Sequence, residues 1–372
     1  MRTHMNAVLP DTMNAVVMTR GKLSVSIVPV PTPGPGEVLV KVLSAGICGS
    51  DLHCVSHGEQ LLASAKEAAG VDLFSLDDPV VMGHEFCAEI VLHGPDTQGT
   101  LAVGTRVACF PFLLRDQVVT IGFGGPDTPG AYAEYMVLTE GLLLEVPDHV
   151  SDDLVALVEP LAVALHAVNR GQLGEHDVPL VIGCGPIGLA VIAILKMRGL
   201  SPIVASDFSP SRRALARELG ADIVVDPRET SPFDSWHDVA ALSDEEQLGR
   251  TTLMFPEPLR PSAIFECVGV PGVIAQVIGS AAACSKVIVA GLCMQPDTFT
   301  PSVAIMKEID LVFSIAYTPT EFAEAFSHVV SGDLAVAPLI TSRVPLHDVP
   351  AAFDRLADPE LDAKIVVVPS LS

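Results

Sequence analysis

Basic residues are scarce in this chain. Its 372 residues hold 21 Lys and Arg against 45 Asp and Glu, a formal net charge of −24. So acidic a surface repels nucleic-acid phosphates and anionic membrane surfaces, and neither is expected as a partner. The acidity is read as solubility. A cysteine framework is also missing. The eight cysteines, at 48, 54, 87, 109, 184, 267, 284 and 293, are scattered, most of them inside apolar runs such as "VACF" and "FECVG". That pattern points to a reducing compartment, the cytoplasm. The opening "MRTHMNAVLPDT" lacks the apolar core of a signal peptide. No unbroken apolar run of membrane-spanning length exists either. Val178–Leu195 is uncharged and long enough, but Pro179, Gly183, Gly185, Pro186 and Gly188 interrupt it and turn it into strand, turn and helix. Repeats and low-complexity tracts are absent. What remains is 49% hydrophobic and 18% charged, a compact globular composition long enough for two cores.

"MNAV" occurs at 5–8 and again at 13–16, and the folded pattern starts at the second copy. From there to about residue 150 the texture is β-rich. Val/Ile runs such as "GEVLVKV", "EFCAEIVLHG" and "AYAEYMVL" are separated by Pro and Gly, which predicts a rolled or barrel-like β domain. Residues 57–79 differ: their helical pattern predicts an inserted helix and loop. From about 170, strands alternate with helices: "PLVIG", "PIVASD", "DIVVD", "SAIFECVG" and "KVIVAGL" are the strands. That is the pattern of a doubly wound parallel sheet. Residues 226–262 are polar and proline-rich and predict a surface excursion. A helix is expected over 319–331, and "AKIVVV" closes the chain.

"VIGCGPIG" sets Gly183, Gly185 and Gly188 in G-x-G-x-x-G spacing, with Pro186 and Ile187 opening the helix that follows. The first glycine permits the tight turn. The second lets a pyrophosphate approach the helix N-terminus. The third lets helix and strand pack closely. Nineteen residues after Gly188 stands Asp207, at the end of "PIVASD", where a carboxylate meets the adenosine ribose hydroxyls and repels a 2′-phosphate. NAD is therefore expected over NADP. Arg212, five residues on, could face ribose or phosphate, or be an exposed helix cation.

The stretch "GICGSDLH" ends a strand on Cys48, Ser50, Asp51 and His53. Thirty-six residues after Cys48 comes His84 in "GHEF", with Glu85 beside it. Glu159 stands in the apolar run "VEPLAVALHAV". Thiolate, imidazole and carboxylate together suit Zn²⁺ with an open fourth position, the catalytic pattern.

These motifs together, with "VASDFSPSR", "ARELGAD", "FECVG" and "KVIVAGL", resemble the zinc-dependent medium-chain dehydrogenase/reductase family over about 13–369. They lean toward its sorbitol, butanediol and threonine dehydrogenase branch, because Glu159 stands where classical alcohol dehydrogenases have a second cysteine. The resemblance implies an α/β chain with a GroES-like β-rich catalytic domain (1–168 and 306–372) and a Rossmann coenzyme domain (169–305). It implies zinc on Cys48 and His84, completed by Glu159 or Glu85, with Asp51 orienting His84. Ser50 would take the alcohol proton and pass it through the nicotinamide ribose toward His53. Val268 and Leu292 would join the cofactor-binding residues. A homodimer or homotetramer is implied. The implied activity is hydride transfer between a secondary alcohol or polyol and NAD. The alternative, a zinc-free NADPH-dependent quinone or enone reductase of the same superfamily, fits the metal-binding set and Asp207 less well.

Two departures stand out. Members with a structural zinc carry four close cysteines in a lobe where residues 104–136 hold only Cys109, so a second zinc is not expected and apolar contacts must hold the lobe. The 57–79 segment lies between two of the metal-ligand positions and is expected to rim the substrate cleft, with Leu61, Leu62, Val71, Leu73 and Phe74 packing as a lid.

Overall fold

Arg20 and Gly21, at φ 50° and 70°, turn strand β1 (Thr12–Thr19) back onto β2 (Lys22–Pro29). Only glycine fits the second position: a Cβ there would lie 2.5 Å from the Val55 carbonyl oxygen. The computed structural model describes residues 9–70, 72–125, 128–242 and 259–371. They form two compact units. The first comprises Met1–Asp148, Arg343–Phe353 and Val366–Ser372, as far as these are described, and the second His149–Ser342 and Asp354–Ile365, likewise as far as described.

The first unit is the β-rich one. Its central strand, β3 (Glu37–Gly46), is buried along most of its length and has neighbours on both edges. Helix α1 (Gly49–Ala69) follows it directly, and β4 (Val80–Val81) pairs with β1. Strand β5 (Glu85–His93) lies antiparallel to β3, with Gly46 opposite Glu85, and β6 (Arg106–Cys109) continues the sheet. A hairpin, β7 (Phe112–Leu114) and β8 (Val118–Thr120), occupies the cysteine-poor lobe. Leu113 and Ile121 are buried there, as the expected apolar anchoring requires. An ion pair adds to it: Arg115 donates to both oxygens of buried Glu37, at 2.7 and 3.2 Å. Strand β9 (Tyr135–Thr139) takes the other edge of β3, and β10 (Leu143–Glu145) pairs with β6.

The second unit begins with α2 (Asp152–Ala156) and α3 (Val158–Gly171). Then come β11 (Val178–Ile182), α4 (Pro186–Met197), β12 (Val204–Ser206), α5 (Pro210–Glu218) and β13 (Ile223–Val225). After α6 (Pro232–Ala240) follow β14 (Ser262–Glu266), α7 (Val273–Ser280), β15 (Lys286–Val289), α8 (Pro301–Met306), β16 (Asp310–Phe313) and α9 (Pro319–Ser331). The six strands are parallel in the order β13-β12-β11-β14-β15-β16, so the order reverses between β11 and β14. A ligand crevice forms at such a reversal. After β17 (Ile340–Val344) and α10 (Val349–Leu356), the last strand β18 (Lys364–Val367) sets Val366 and Val367 beside Gly46 and Ala45 of β3.

Three expectations need correction. The divisions expected at 168/169 and 305/306 fall inside the second unit, because α3 packs on α4, α9 and β15. The excursion at 226–262 contains a packed helix: Ser231 caps α6, and Trp236 is buried with its indole N–H donating to the Val178 carbonyl at 2.8 Å. Residues 243–258 lie outside the described set. The helix expected as an insert at 57–79 is instead the continuation of α1, which starts at the Cys48 motif and bends at His57 (φ −137°, ψ 33°).

Helix α9 opens on a reciprocal cap. The Glu321 carboxylate accepts from Thr318 N and Oγ1, each at 2.9 Å, and also from Asn169 Nδ2 at 2.9 Å, and His166 Nδ1 lies 2.9 Å from it. Burial pushes this carboxyl up, but the hydrogen bonds together outweigh it and hold it down at about 2, against an ordinary 4.5. A lowered folded-state value stabilises the fold above the unfolded pKa, and that gain disappears as pH falls from about 4.5 through about 2. Glu321→Gln should therefore cost about 1–3 kcal/mol at neutral pH. In thermal melts the gap to wild type should narrow from pH 5 downward. A gap independent of pH would show that the charge of Glu321 contributes nothing.

Candidate active site

Cys48 sits where β3 ends and α1 begins. Its N–H donates to Asp51 Oδ2 at 3.1 Å, and its carbonyl accepts from Asp51 N–H, so the start of the helix ties the motif into a tight turn. Asp51 is fully buried. Tyr132 donates its hydroxyl proton to Asp51 Oδ2 at 2.6 Å, and Asp51 Oδ1 lies 3.6 Å from His84 Nδ1. Burial pushes the Asp51 carboxyl up, while His84 and the hydrogen bonds pull it back. With the carboxylate on the Nδ1 side, His84 keeps its Nε2 lone pair for a metal, and Ser50 Oγ lies 3.4 Å from that nitrogen.

His84 and Glu85, both buried, follow Gly83, whose φ of 99° makes the turn into β5. Glu85 faces Gly46. A Cβ on Gly46 would lie 1.9 Å from Glu85 Oε2, so the glycine is the room that this carboxylate occupies. One ligand atom from each of Cys48, His84 and Glu85 lies within 4.8 Å of the others. A thiolate, an imidazole and a carboxylate so close suit a divalent zinc ion with a fourth position left for water or substrate. Cys54, one and a half turns along α1, is not an alternative ligand: burial first and Asp51 second push its thiol up to about 12.

Glu159 belongs to the second unit, buried in the first turn of α3. His53 is half-buried on α1. Its contact is with His57, whereas that of Ser50 is with His84. Burial first and His57 second push His53 down. Phe123 and Tyr132 were not anticipated. The Phe123 ring centre is 5.3 Å from that of His84, and Phe74, from the segment after α1, stacks on Phe123 at 6.5 Å. The expected rim thus meets the site through Phe74; Val71 lies outside the described residues.

In the second unit the glycine motif stands at the order reversal. Gly183 has φ 89°, and a Cβ on it would lie 2.8 Å from Val268 Cγ2. A Cβ on Gly188 would lie 1.9 Å from the Gly183 carbonyl oxygen. Gly185 differs. It caps α4, with Pro186 next, and the nearest atom to a Cβ there is Arg212 Nη1 at 3.9 Å. An open helix N-terminus facing a guanidinium fits a pyrophosphate.

Asp207 has Oδ2 on the Cys184 N–H at 2.7 Å and Oδ1 on the Ser209 N–H at 2.8 Å, so it braces the glycine turn as well as offering lone pairs to a ribose. Arg213 and Arg228 sit close by, but Asp226 pairs with both, at 3.0 and 2.6 Å. Val268 and Leu292 are exposed at the ends of β14 and β15. Glu266 was missed. Its carboxylate accepts from Val268 N and Gly269 N, and its carbonyl from Ala290 N and Gly291 N, which ties the two loops together. The only sequence signal was an acid inside the apolar run "IFECVG".

Comparison with known proteins gives two family matches: "Alcohol dehydrogenase GroES-like domain" over residues 34–148 and "Zinc-binding dehydrogenase" over 186–331. The chain is 34% identical over 351 residues to (R,R)-butanediol dehydrogenase of Bacillus subtilis (strain 168), covering 91% of this chain and 94% of that one. It is 30% identical over 356 residues to sorbitol dehydrogenase of Rattus norvegicus, covering 92% of each. Among solved structures it is similar to 2R,3R-butanediol dehydrogenase from Bacillus subtilis (TM-score 0.77, 31% identity, 96% of this chain and 100% of that one). A Sinorhizobium meliloti 1021 protein solved bound to NADP is similar too (TM-score 0.77, 25% identity, 97% and 100%).

Proposed function

The chain belongs to the zinc-binding alcohol dehydrogenase family, and on that premise we propose that it transfers hydride between a secondary alcohol or polyol and NAD. The observation that carries this reading is the meeting of Cys48, His84 and Glu85. Cys48 and His84 would hold one zinc, with Glu85 or Glu159 completing the protein ligands. A zinc bound there would act as a Lewis acid toward the substrate alcohol, and NAD would accept the hydride.

The chain's own residues do the rest. Asp51, fixed by Tyr132 and the Cys48 N–H, holds His84 in the tautomer that presents Nε2. Ser50 Oγ, beside that nitrogen, would relay the alcohol proton, accepting it while its own hydroxyl proton is passed on. His53, half-buried on the same helix, exchanges it with solvent. Phe123 and Phe74 exclude water from the His84 side.

NAD is proposed over NADP because Asp207 stands at the ribose position, where its carboxylate would repel a 2′-phosphate, and Arg213 and Arg228 are both engaged by Asp226. No helix among the described residues is long and apolar enough to cross a membrane. A cytoplasmic homodimer or homotetramer is part of the same reading. Edge strand β16 and its flank support self-association by exposing Phe313 (60%) and Ile315 (77%).

One purified sample tests these points: metal analysis, light scattering, and kcat/KM with NAD⁺ and NADP⁺ over alcohols, diols, sugars and hydroxy acids. NAD-linked turnover of a secondary alcohol with about one zinc per chain is expected. Full turnover in metal-free protein would sink the mechanism, and equal efficiency with NADP⁺ would sink the coenzyme assignment.

A further inference from the structure

His53 and His57 stand four residues apart on α1, with ring centres 6.1 Å apart and planes inclined at 58°. The protonation of His57 can be worked out from its neighbour. The Ser56 hydroxyl has one proton, and it points at the Leu52 carbonyl, an acceptor only, at 2.7 Å. The 2.8 Å contact between Ser56 Oγ and His57 Nδ1 must then take its proton from the imidazole. His57 Nδ1 therefore donates, and Nε2 keeps a free lone pair. This is the arrangement by which metal-binding imidazoles are oriented. His53 is favoured in its neutral form by burial and by the proximity of His57. Neutral imidazole is the ligand form.

Metal–nitrogen bonds of about 2.0–2.1 Å put the centres of two imidazoles on one ion about 4.5 Å apart at a right angle and about 5.2 Å apart at the tetrahedral angle, so from the observed 6.1 Å the two rings must swing together by about 1–1.5 Å to chelate one ion. The bend at His57 takes the second ring off the ideal helical path, yet the two rings remain neighbours. The net charge of −24 raises the local concentration of cations.

We propose that His53 and His57 form a second, weaker metal site that takes one divalent first-row transition-metal ion of the imidazole-seeking class, and that its occupation inhibits the enzyme by withdrawing His53 from proton exchange. The binding half stands on the His pair alone. The inhibition half rests on the role of His53 in the proposed function. The site is separate from the Cys48, His84 and Glu85 cluster, and it would make turnover sensitive to excess metal.

Ni²⁺ is the probe, since imidazole binds it more tightly than it binds earlier divalent ions. Zinc-loaded protein is dialysed against increasing Ni²⁺, then assayed for bound metal and for turnover. Wild type should take up one Ni²⁺ beyond its zinc, half-saturated at about 10–100 µM, and lose at least about fivefold in turnover. His57→Asn should lose both the extra ion and the inhibition, with the turnover of the zinc-loaded protein before Ni²⁺ addition within about twofold of wild type. His53→Asn should also lose the extra ion, read by dialysis alone. Failure of wild type to bind extra Ni²⁺ up to about 1 mM, or equal binding by His57→Asn, overturns the site. Stoichiometric binding with unchanged turnover overturns the inhibition. Failure of the dehydrogenase reading is distinguishable, because it shows as absent turnover before any Ni²⁺ is added, and the dialysis result does not depend on it.

Discussion

Cys48→Ala should yield a folded, NAD-binding protein that has lost its zinc and at least about 1000-fold in turnover. Cys48 supplies the only thiolate of the cluster; His84 and Glu85 alone offer one nitrogen and one carboxylate, a set that holds zinc far more weakly. The fold does not depend on the metal. β3 and β5 are buried along most of their length, and the turn at Cys48 is made by its backbone and the Asp51 carboxylate, both of which an alanine leaves in place. A chain of this size has enough apolar core to stay folded without metal, unlike a zinc finger. Cys54→Ala is the control, since that thiol is buried and held protonated. It should keep the zinc and most of the turnover. On the proposal that Glu159 is one of the two alternative carboxylate ligands, Glu159→Ala should weaken zinc binding less than Cys48→Ala, because Glu85 or water can substitute. Elemental analysis, circular dichroism and NADH fluorescence on the four proteins decide the matter. If Cys48→Ala keeps its zinc, or turns over without it, the metal assignment is wrong.

Where chemistry repeats at short range, the sequence was a reliable guide. The glycine motif lies within one turn, and its spacing matches the local geometry: Gly183 at positive φ, Gly188 against the Gly183 carbonyl, and Gly185 with only Arg212 Nη1 within 4 Å of a Cβ. Strand–helix alternation likewise predicted the parallel sheet. Misreadings arose where local pattern and tertiary packing diverge. The 226–262 stretch is polar enough to suggest a surface loop, yet Phe233, Trp236 and Ala240 form one apolar stripe at helical spacing, and Trp236 is buried. The division at 168/169 followed a change of texture, but the apolar face of α3 packs on α4 and α9.

The site was legible in part. Cys48 and His84, with Glu159 or Glu85 as the carboxylate, stand out in the sequence because a thiolate, an imidazole and a carboxylate are conspicuous in apolar surroundings, but nothing in the sequence says which carboxylate lies beside the other two, and Glu85 is the one that does. Tyr132, Phe123 and Glu266 do not stand out, because they are ordinary residues until long-range pairing places them. Tyr132 reaches Asp51 across 81 residues of sequence. Gly46 gave no sign that it makes room for Glu85; that relation exists only in the β3–β5 register.

Gly185→Ala and Gly188→Ala should both abolish coenzyme binding, but for opposite reasons, and stability measurements separate them. At Gly185 the backbone is extended (φ −69°, ψ −178°), a conformation alanine adopts freely, and nothing but Arg212 Nη1 at 3.9 Å approaches the new Cβ. The apoprotein should melt within a few degrees of wild type, since losing a glycine N-cap costs under about 1 kcal/mol. The methyl group would instead fill the space where a pyrophosphate meets the N-terminus of α4. NADH affinity should drop at least about 100-fold, equivalent to about 2.7 kcal/mol. At Gly188 helix propensity alone would make alanine favourable by about 1 kcal/mol. The Cβ, however, would lie 1.9 Å from the Gly183 carbonyl, a backbone atom with no rotamer to escape into, so α4 must move away from β11. The apoprotein should melt well below wild type, and coenzyme should not restore it. Thermal melts with and without NADH, alongside fluorescence titration, give both quantities. If Gly185→Ala binds NADH normally, the pyrophosphate does not sit at that helix end. If Gly188→Ala is as stable as wild type, the close packing of helix on strand is not what the third glycine provides.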